Sequence, residues 1–443
     1  VVRRRVHRRL AWLKETEWWS AREIADYQDA RLREMVAHAY ATTPWYREAL
    51  DAHGVRPADI RSRDDLPKLP ILTKAQLCAQ PRGFVSRAYR PRQLWHGETG
   101  GTTGTPLPIL LTRDALQFQW AVWWRHKARF GLGLLAESLM FGTRPVAAAG
   151  QRLWRRIGPF RQTYLSSHLF TDDSMPEVAR LMNREQFAFY TGRPSLMYRM
   201  ASFMRERGIT LARPPRYLVS GSETLLPTFE RALAATFRAP VTDQYGSAEA
   251  CVNFARCERG RYHLDAEFCI AELLPLAGGD DPRLRRIVCT GLANPAMPLI
   301  RYDVGDYGVV SEGPCPCGRQ TPSLDSIEGR TEDYIRTPDG RKVVAFNQVF
   351  EAGEGILEAQ LVQEARDLVA VLLVTDGRYG RATEAGLEGR LRRRLGDGMR
   401  IEFRQVERIA RTRNGKFRAV VSHLGPDTPE EAVLQRATQQ DAP

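Results

Sequence analysis

The stretch that decides the reading is Thr99-Gly100-Gly101-Thr102-Thr103-Gly104-Thr105-Pro106. Its three glycines let backbone approach a ligand closely, and its threonine hydroxyls and bare N–H groups can wrap a polyphosphate. The segment lacks the Gly-Lys-Ser/Thr ending of the usual P-loop, so a nucleotide hydrolase is a poor reading. A plain Gly/Thr turn is the bland alternative, and phosphate binding is preferred to it.

Four further segments extend that reading. Gln244-Tyr245-Gly246-Ser247-Ala248-Glu249 offers a flat ring for a base, a glycine that admits substrate, and a carboxylate that can hold Mg2+. In Arg301-Tyr302-Asp303-Val304-Gly305-Asp306, Asp306 can accept hydrogen bonds from two ribose hydroxyls. Gly329-Arg330-Thr331-Glu332-Asp333 falls at a change of organisation, and Asn414-Gly415-Lys416-Phe417-Arg418 is a turn presenting a lysine. Alone, each passes for a core tyrosine or a charged surface turn.

Composition bounds the rest. A chain of 443 residues implies two or three domains, and 43% hydrophobic content suffices for a sizeable core. No run of about 18 uncharged apolar residues occurs, which excludes a membrane-spanning helix. The start has no apolar signal core, and seven cysteines are too sparse for a disulfide scaffold. Both point to a reducing, cytoplasmic setting. The net charge of +13 suggests anionic partners: nucleic acid, membrane or phosphorylated small molecules.

Residues 21–54 read as helices, with Leu32, Met35, Val36 and Ala39 on one apolar face and breaks at Thr43-Pro44 and Pro57. Residues 66–70 read as a connector. From 98 to 306 glycine turns, short apolar runs and helical stretches alternate. Strands are expected at 187–190, 217–220 and 287–289, an α/β pattern. From Glu332 a small α+β unit follows, with strands at 368–374 and 400–406 and a helix at 382–395. Residues after Gly425 read as a polar tail.

Taken in order and spacing, the five segments resemble the adenylate-forming superfamily of acyl-CoA ligases, luciferases and adenylation domains. The resemblance covers residues 20–425. It is nearest to the phenylacetate–CoA ligase-like branch and its capsular-polysaccharide-type members, on Cys315-Pro316-Cys317-Gly318-Arg319, Pro338-Asp339-Gly340-Arg341 and Gln360-Leu361-Val362-Gln363-Glu364. It implies a large AMP-binding domain of layered helices and sheets at 1–331, a small mobile α+β domain at 332–425, and a tail at 426–443. It implies that Thr99, Gly100, Gly101, Thr102, Thr103 and Gly104 hold the ATP phosphates. Ser220, Gly221, Ser222 and Glu223 would flank adenine, with Tyr245 stacked on it in the turn of Gly246 and Ser247. Glu249 would bind Mg2+, Asp306 with Arg330 the ribose, and Lys416 would be the catalytic lysine. Glu332 occupies the hinge position, often Asp or Lys in relatives.

The implied activity is activation of a carboxylic acid by ATP, with acyl transfer to CoA or to an amine, sugar or carrier acceptor. Residues 334–345 lack the Gly-rich pattern many CoA ligases use near the pantetheine tunnel. That makes adenylation firmer than thioester formation. A non-catalytic nucleotide-binding scaffold is disfavoured by the intact Lys416, Glu249 and Asp306. Relatives of this kind are often dimers, so a homodimer is open.

Cys257, His263, Cys315 and Cys317 form two pairs with 51 residues between them. Three thiolates and an imidazole are a common structural zinc set, and the resemblance strengthens it. Cys251 stands as a substitute ligand; Cys78, Cys269 and Cys289 read as buried thiols. Trp120, Trp123 and Trp124 read as core ahead of an acyl-pocket wall, and His126 and His168 as satisfied or solvated. No nucleic-acid-reading motif is present. For the Arg-rich first fourteen residues, a solvated helix packed on the large domain is preferred to a membrane surface.

Overall fold

The computed structural model describes residues 2–98, 107–142, 152–158, 160–166, 169–276, 282–330, 334–344, 346–350, 355–410 and 417–425. The chain folds as two compact units, one of residues 1–134, 244–275 and 285–326, the other of 135–243, 276–284 and 327–443.

The first unit opens with the helix Val2–Thr16, followed by Ala21–Thr42 and Pro44–Ala52. Ser20 starts the second helix because its Oγ accepts from Glu23 N at 3.3 Å while Glu23 Oε2 accepts from Ser20 N at 2.8 Å. Ile24, Leu32, Met35, Val36 and Ala39 form its buried face. The helix ends at Thr42 because Pro44 disfavours helical backbone at Thr43. The expected connector at 66–70 is instead largely a 3-10 helix, Arg63–Lys68, capped by Ser62.

A sheet in this unit has the order Cys269–Pro275, Leu284–Gly291, Tyr302–Val310, Ser323–Arg330, Tyr262–Leu264, Asn253–Arg256. The helix Arg113–Arg129 turns Ala115, Phe118, Ala121, Val122 and Trp124 inward. The core preference for the tryptophan stripe therefore holds for Trp124. Trp120 is half-buried and lines a cleft of about 300 Å³ with Leu94, Trp95, Arg113, Leu116 and Gln117.

The second unit has a parallel sheet in which Ser138–Phe141 is flanked by Gln162–Leu165 and Phe189–Gly192, with Tyr217–Gly221 next. Trp154–Ile157 pairs antiparallel at the edge. The strand expected at 187–190 begins two residues later, at Phe189. The helices Met175–Arg184, Pro194–Glu206 and Pro227–Phe237 supply Met182, Met197, Phe229 and Phe237 to a core with Phe141 and Tyr190. Gly192 is required: its φ is +126°, and a Cβ there would lie 2.2 Å from the Phe141 carbonyl oxygen.

The C-terminal segment of this unit has more strands than the sequence suggests. Its sheet runs Arg400–Gln405, Leu368–Thr375, Ile356–Ala365, Val420–Ser422. The helix Arg381–Leu395 buries Leu387, Leu391 and Leu395 against Leu361, Val369, Val371 and Leu373. Ile356–Ala365 was hidden because its apolar residues are interrupted by Glu358, Gln360 and Gln363. The last two are buried: Gln360 Nε2 donates to Arg418 O at 2.9 Å, and Gln363 Nε2 to Arg336 O at 2.6 Å.

Candidate active site and metal centre

In the first unit the antiparallel pairing of Tyr245 with Phe254 presents Tyr245 toward the strand Tyr302–Val310. Tyr245 Oη donates to Asp306 Oδ2 at 2.5 Å, joining residues 61 apart in sequence. Burial first, then the Asp306 carboxylate, raises the Tyr245 pKa well above the ordinary tyrosine range. The phenol therefore stays a donor at any physiological pH.

Gly246 ends the strand Val241–Gly246 opposite Asn253, where a Cβ would sit 2.7 Å from Asn253 Oδ1. Ser247 O accepts from Gln119 Nε2 at 3.2 Å. Glu249 is half-buried, and the next residue, Ala250, adopts the left-handed φ of 56°. The Glu249 charge helps push up the pKa of the buried Cys251, after burial itself.

Two residues of the Arg113–Arg129 helix support this segment: Gln119, which sequence reasoning missed, and His126, which it read only as satisfied or solvated; both are buried. His126 is held far below the usual histidine pKa by burial, then by the Arg129 and Lys127 charges. It is a neutral imidazole, bonded to the Gln244 side chain and the Arg256 backbone. The satisfied-histidine expectation holds in part: the ring is hydrogen-bonded, but its Nδ1 has no hydrogen-bond partner among the described residues. His168 lies outside the described residues. No sequence signal marks a helix that supports a strand more than a hundred residues away.

In the second unit, Ser220 and Gly221 end the strand Tyr217–Gly221, and Ser222 takes a left-handed φ of 71°. Ser220 is buried, and its Oγ has no hydrogen-bond partner among the described residues. Glu223 Oε2 accepts from Ser195 Oγ at 2.6 Å, and Arg193 Nε stands 3.7 Å from Glu223 Oε1. Arg193 and Ser195, at the start of the Pro194–Glu206 helix, are again residues the sequence did not flag. Arg330 ends the strand Ser323–Arg330. Thr99, Gly100, Gly101, Thr102, Thr103, Gly104, Glu332 and Lys416 lie outside the described residues.

The structure does bring the proposed metal ligands together. One donor atom each from Cys257, His263, Cys315 and Cys317 lies within 4.8 Å of the others. Cys257 Sγ and Cys315 Sγ are 3.8 Å apart, and Cys317 Sγ and His263 Nε2 are 3.3 Å apart. A tetrahedral zinc with its usual bond lengths separates two sulfurs by about 3.8 Å and a sulfur from a nitrogen by about 3.5 Å. The donor set fits that ion. Burial, then the Arg129 and Arg319 charges, pushes the His263 pKa down to about 4, so its imidazole is free of a competing proton. Its other nitrogen, Nδ1, lies 3.2 Å from Thr321 Oγ1, the kind of outer partner that orients a ligand ring. Burial raises the Cys317 thiol pKa, but the Arg319 backbone N–H and guanidinium outweigh it and the net shift is downward. Cys251 is not in the group; its Sγ lies 3.6 Å from Ser247 Oγ. Cys269 and Cys289 are buried as expected, whereas Cys78 is only half-buried, because it sits on the short surface helix Lys74–Ala79.

Beside this group lies a buried knot of charge. Arg125 NH1 donates to Glu267 Oε1 at 2.6 Å and to Leu13 O at 3.0 Å, and NH2 pairs with Asp265. Thr16 donates to Glu267. A single oxygen, Glu17 Oε1, accepts from Arg129 Nε and from Arg319 Nε, each at 2.6 Å. Burial pushes the Glu267 carboxyl up, but Arg125 and the Thr16 hydroxyl outweigh it and hold it below the usual range. For Asp265 burial wins and the shift is upward.

The family model described as AMP-binding enzyme matches residues 99–270, and the CapK C-terminal domain matches 335–423. The phenylacetate-coenzyme A ligase of Thermus thermophilus is 25% identical over 360 residues, 72% of this chain and 73% of that protein. Protein CapK of Staphylococcus aureus is 21% identical over 411 residues, 91% of this chain and 90% of that one. The fold matches 2-hydroxyisobutyryl-CoA ligase in its postadenylation state, with a TM-score of 0.72 at 18% identity, over 97% of this chain and 94% of the other. The chain belongs to the adenylate-forming ligases, in their phenylacetate–CoA ligase-like branch.

Proposed function

We propose that the protein activates a carboxylic acid with ATP and Mg2+ as an acyl-adenylate, releasing pyrophosphate, and passes the acyl group to an acceptor. CoA is the preferred one. The observation that carries this is the hydrogen bond from Tyr245 to Asp306, which puts the residues read as base-stacking and ribose-binding side by side. The carboxylate oxygen attacks the α-phosphorus while the bond to the β-phosphate breaks. Two anions meet in that step, and Lys416 supplies positive charge where negative charge develops. Glu249 would hold the Mg2+ that neutralises the phosphates, and residues 99–104 would bind the phosphates. In the second step the acceptor attacks the acyl carbon and AMP leaves.

The small domain is proposed to begin at 332. The CapK C-terminal match from 335 to 423 supports that boundary. Cys257, His263, Cys315 and Cys317 are proposed to hold one zinc, tying the Asn253–Arg256/Tyr262–Leu264 hairpin to the Cys-Pro-Cys turn. Its role is structural.

Carboxylate-dependent exchange of pyrophosphate into ATP, across a panel of acids, is the direct test. Exchange is expected with at least one acid, and Lys416→Ala is expected to abolish it while ATP binding persists. No exchange with any acid, or near-parental exchange by that variant, counts against the assignment. AMP release that depends on an amine or sugar rather than on CoA would overturn CoA as the preferred acceptor.

A further inference from the structure

We propose that the outer face of the first helix is a docking surface for an anionic lipid bilayer. Val2–Thr16 is fixed to the first unit by one side only: Val6, Leu10 and Leu13 are buried. Arg9 turns back to Asp114 at 3.2 Å and lies over the Phe118 ring at 4.4 Å. What remains outside is basic. Arg3, Arg4, Arg5, Arg8 and Lys14 are exposed, and none pairs with an acid among the described residues. Glu15 is the one exposed acid on the helix.

Arg3, Arg4, Arg5 and Arg8 crowd one exposed stretch of this helix. Repulsion among these cations is relieved by an external anionic surface.

The shape of the face selects a bilayer over nucleic acid. Arg4, Arg8, Ala11, Glu15 and Trp18 recur at helical spacing along one line, with Arg3, His7 and Lys14 beside it. A single stripe along one exposed helix face suits a plane better than a groove. Trp18, just beyond the helix, is 58% exposed, and the Arg319 guanidinium lies 4.9 Å from the centre of its ring. An indole held at the end of a basic stripe matches the headgroup level of a membrane, where tryptophan partitions. With Val6, Leu10 and Leu13 committed to the fold, the contact is peripheral and electrostatic rather than an insertion.

The test is co-sedimentation of the full chain with vesicles of phosphatidylcholine alone or with about a third phosphatidylglycerol. Each cation near such a surface strengthens adsorption about fivefold. Binding is expected only to the anionic vesicles, and is expected to be lost at ~0.5 M salt. The variant Arg3→Ser/Arg4→Ser/Arg8→Ser/Lys14→Ser should bind on the order of several-hundred-fold more weakly. The control Arg381→Ser/Arg393→Ser should bind like the parent. In the unmodified chain, anionic vesicles should blue-shift a fluorescence component that Trp18→Phe removes, a readout independent of how the multiple variant folds. Absence of binding, binding unchanged by the fourfold substitution, or displacement of the vesicles by duplex DNA of equal charge overturns the proposal.

Discussion

Replacing Arg125 by Met tests the buried charge knot. The Arg125, Asp265 and Glu267 side chains are 3%, 1% and 4% exposed. Methionine fills much of the arginine stem but leaves two carboxylates without their nearest cation, and Arg129 NH2 is 3.9 Å from Asp265. Removing one partner of a buried pair costs about 3–5 kcal/mol. For a unit of this size that is a fall in Tm of about 6–20 °C, at ~2–4 °C per kcal/mol. Eight of the nine tryptophans (all but Trp154) lie in the first unit, so intrinsic fluorescence follows the relevant transition.

The pH dependence sharpens the test. In the parent, Glu267 sits below its ordinary pKa of 4.5, so its contribution is present above that pH and lost as acid protonates it. In the variant, burial without the cation raises both carboxyls above their unfolded values. Stability is then lost as pH rises through the raised values. The deficit relative to the parent is largest near ~pH 8 and shrinks toward ~pH 5.5. A Tm within ~2 °C of the parent, or a deficit that grows on acidification, refutes the reasoning.

Metal analysis of the purified chain should find about one zinc per molecule, and Cys315→Ser should bring it below about a tenth while lowering the denaturation midpoint; a metal-free chain of full stability removes the site. Tyr245→Phe keeps the ring but loses the bond to Asp306, so KM for ATP should rise about tenfold with little change in kcat, and an unchanged KM would detach the tyrosine from the nucleotide. Gly246→Ala drives a methyl against Asn253 Oδ1 and should cut pyrophosphate exchange more than about tenfold. Adding Asn253→Ala should restore part of it, and a double variant no better than the single one disproves that clash.

The sequence was most legible where chemistry needs particular residues at particular spacings. Tyr245 and Asp306, each singled out from its own motif, share a hydrogen bond, and the four metal ligands converge although two distant segments supply them. Backbone trajectory was legible where apolar runs are continuous, as in Tyr217–Gly221. It was not where buried polar residues break the pattern, as Gln360 and Gln363 do in Ile356–Ala365. The supporting residues were silent for a related reason. Gln119, Arg193 and Ser195 matter through partners far along the chain, and composition carries no trace of such a partner.

Glu17 gives the region its practical consequence. Because one of its oxygens accepts from Arg129 and Arg319 together, the residue just past the first helix is a keystone of the first unit. An expression clone trimmed to begin at Ala21, on the view that an arginine-rich start is dispensable, would remove the carboxylate that Arg129 and Arg319 share, leaving Arg319 to Glu258 and Arg129 to the more distant Asp265, and uncover Arg125 beside them. Such a clone is expected to accumulate as insoluble protein, whereas an affinity tag placed ahead of Arg3 leaves the lock untouched.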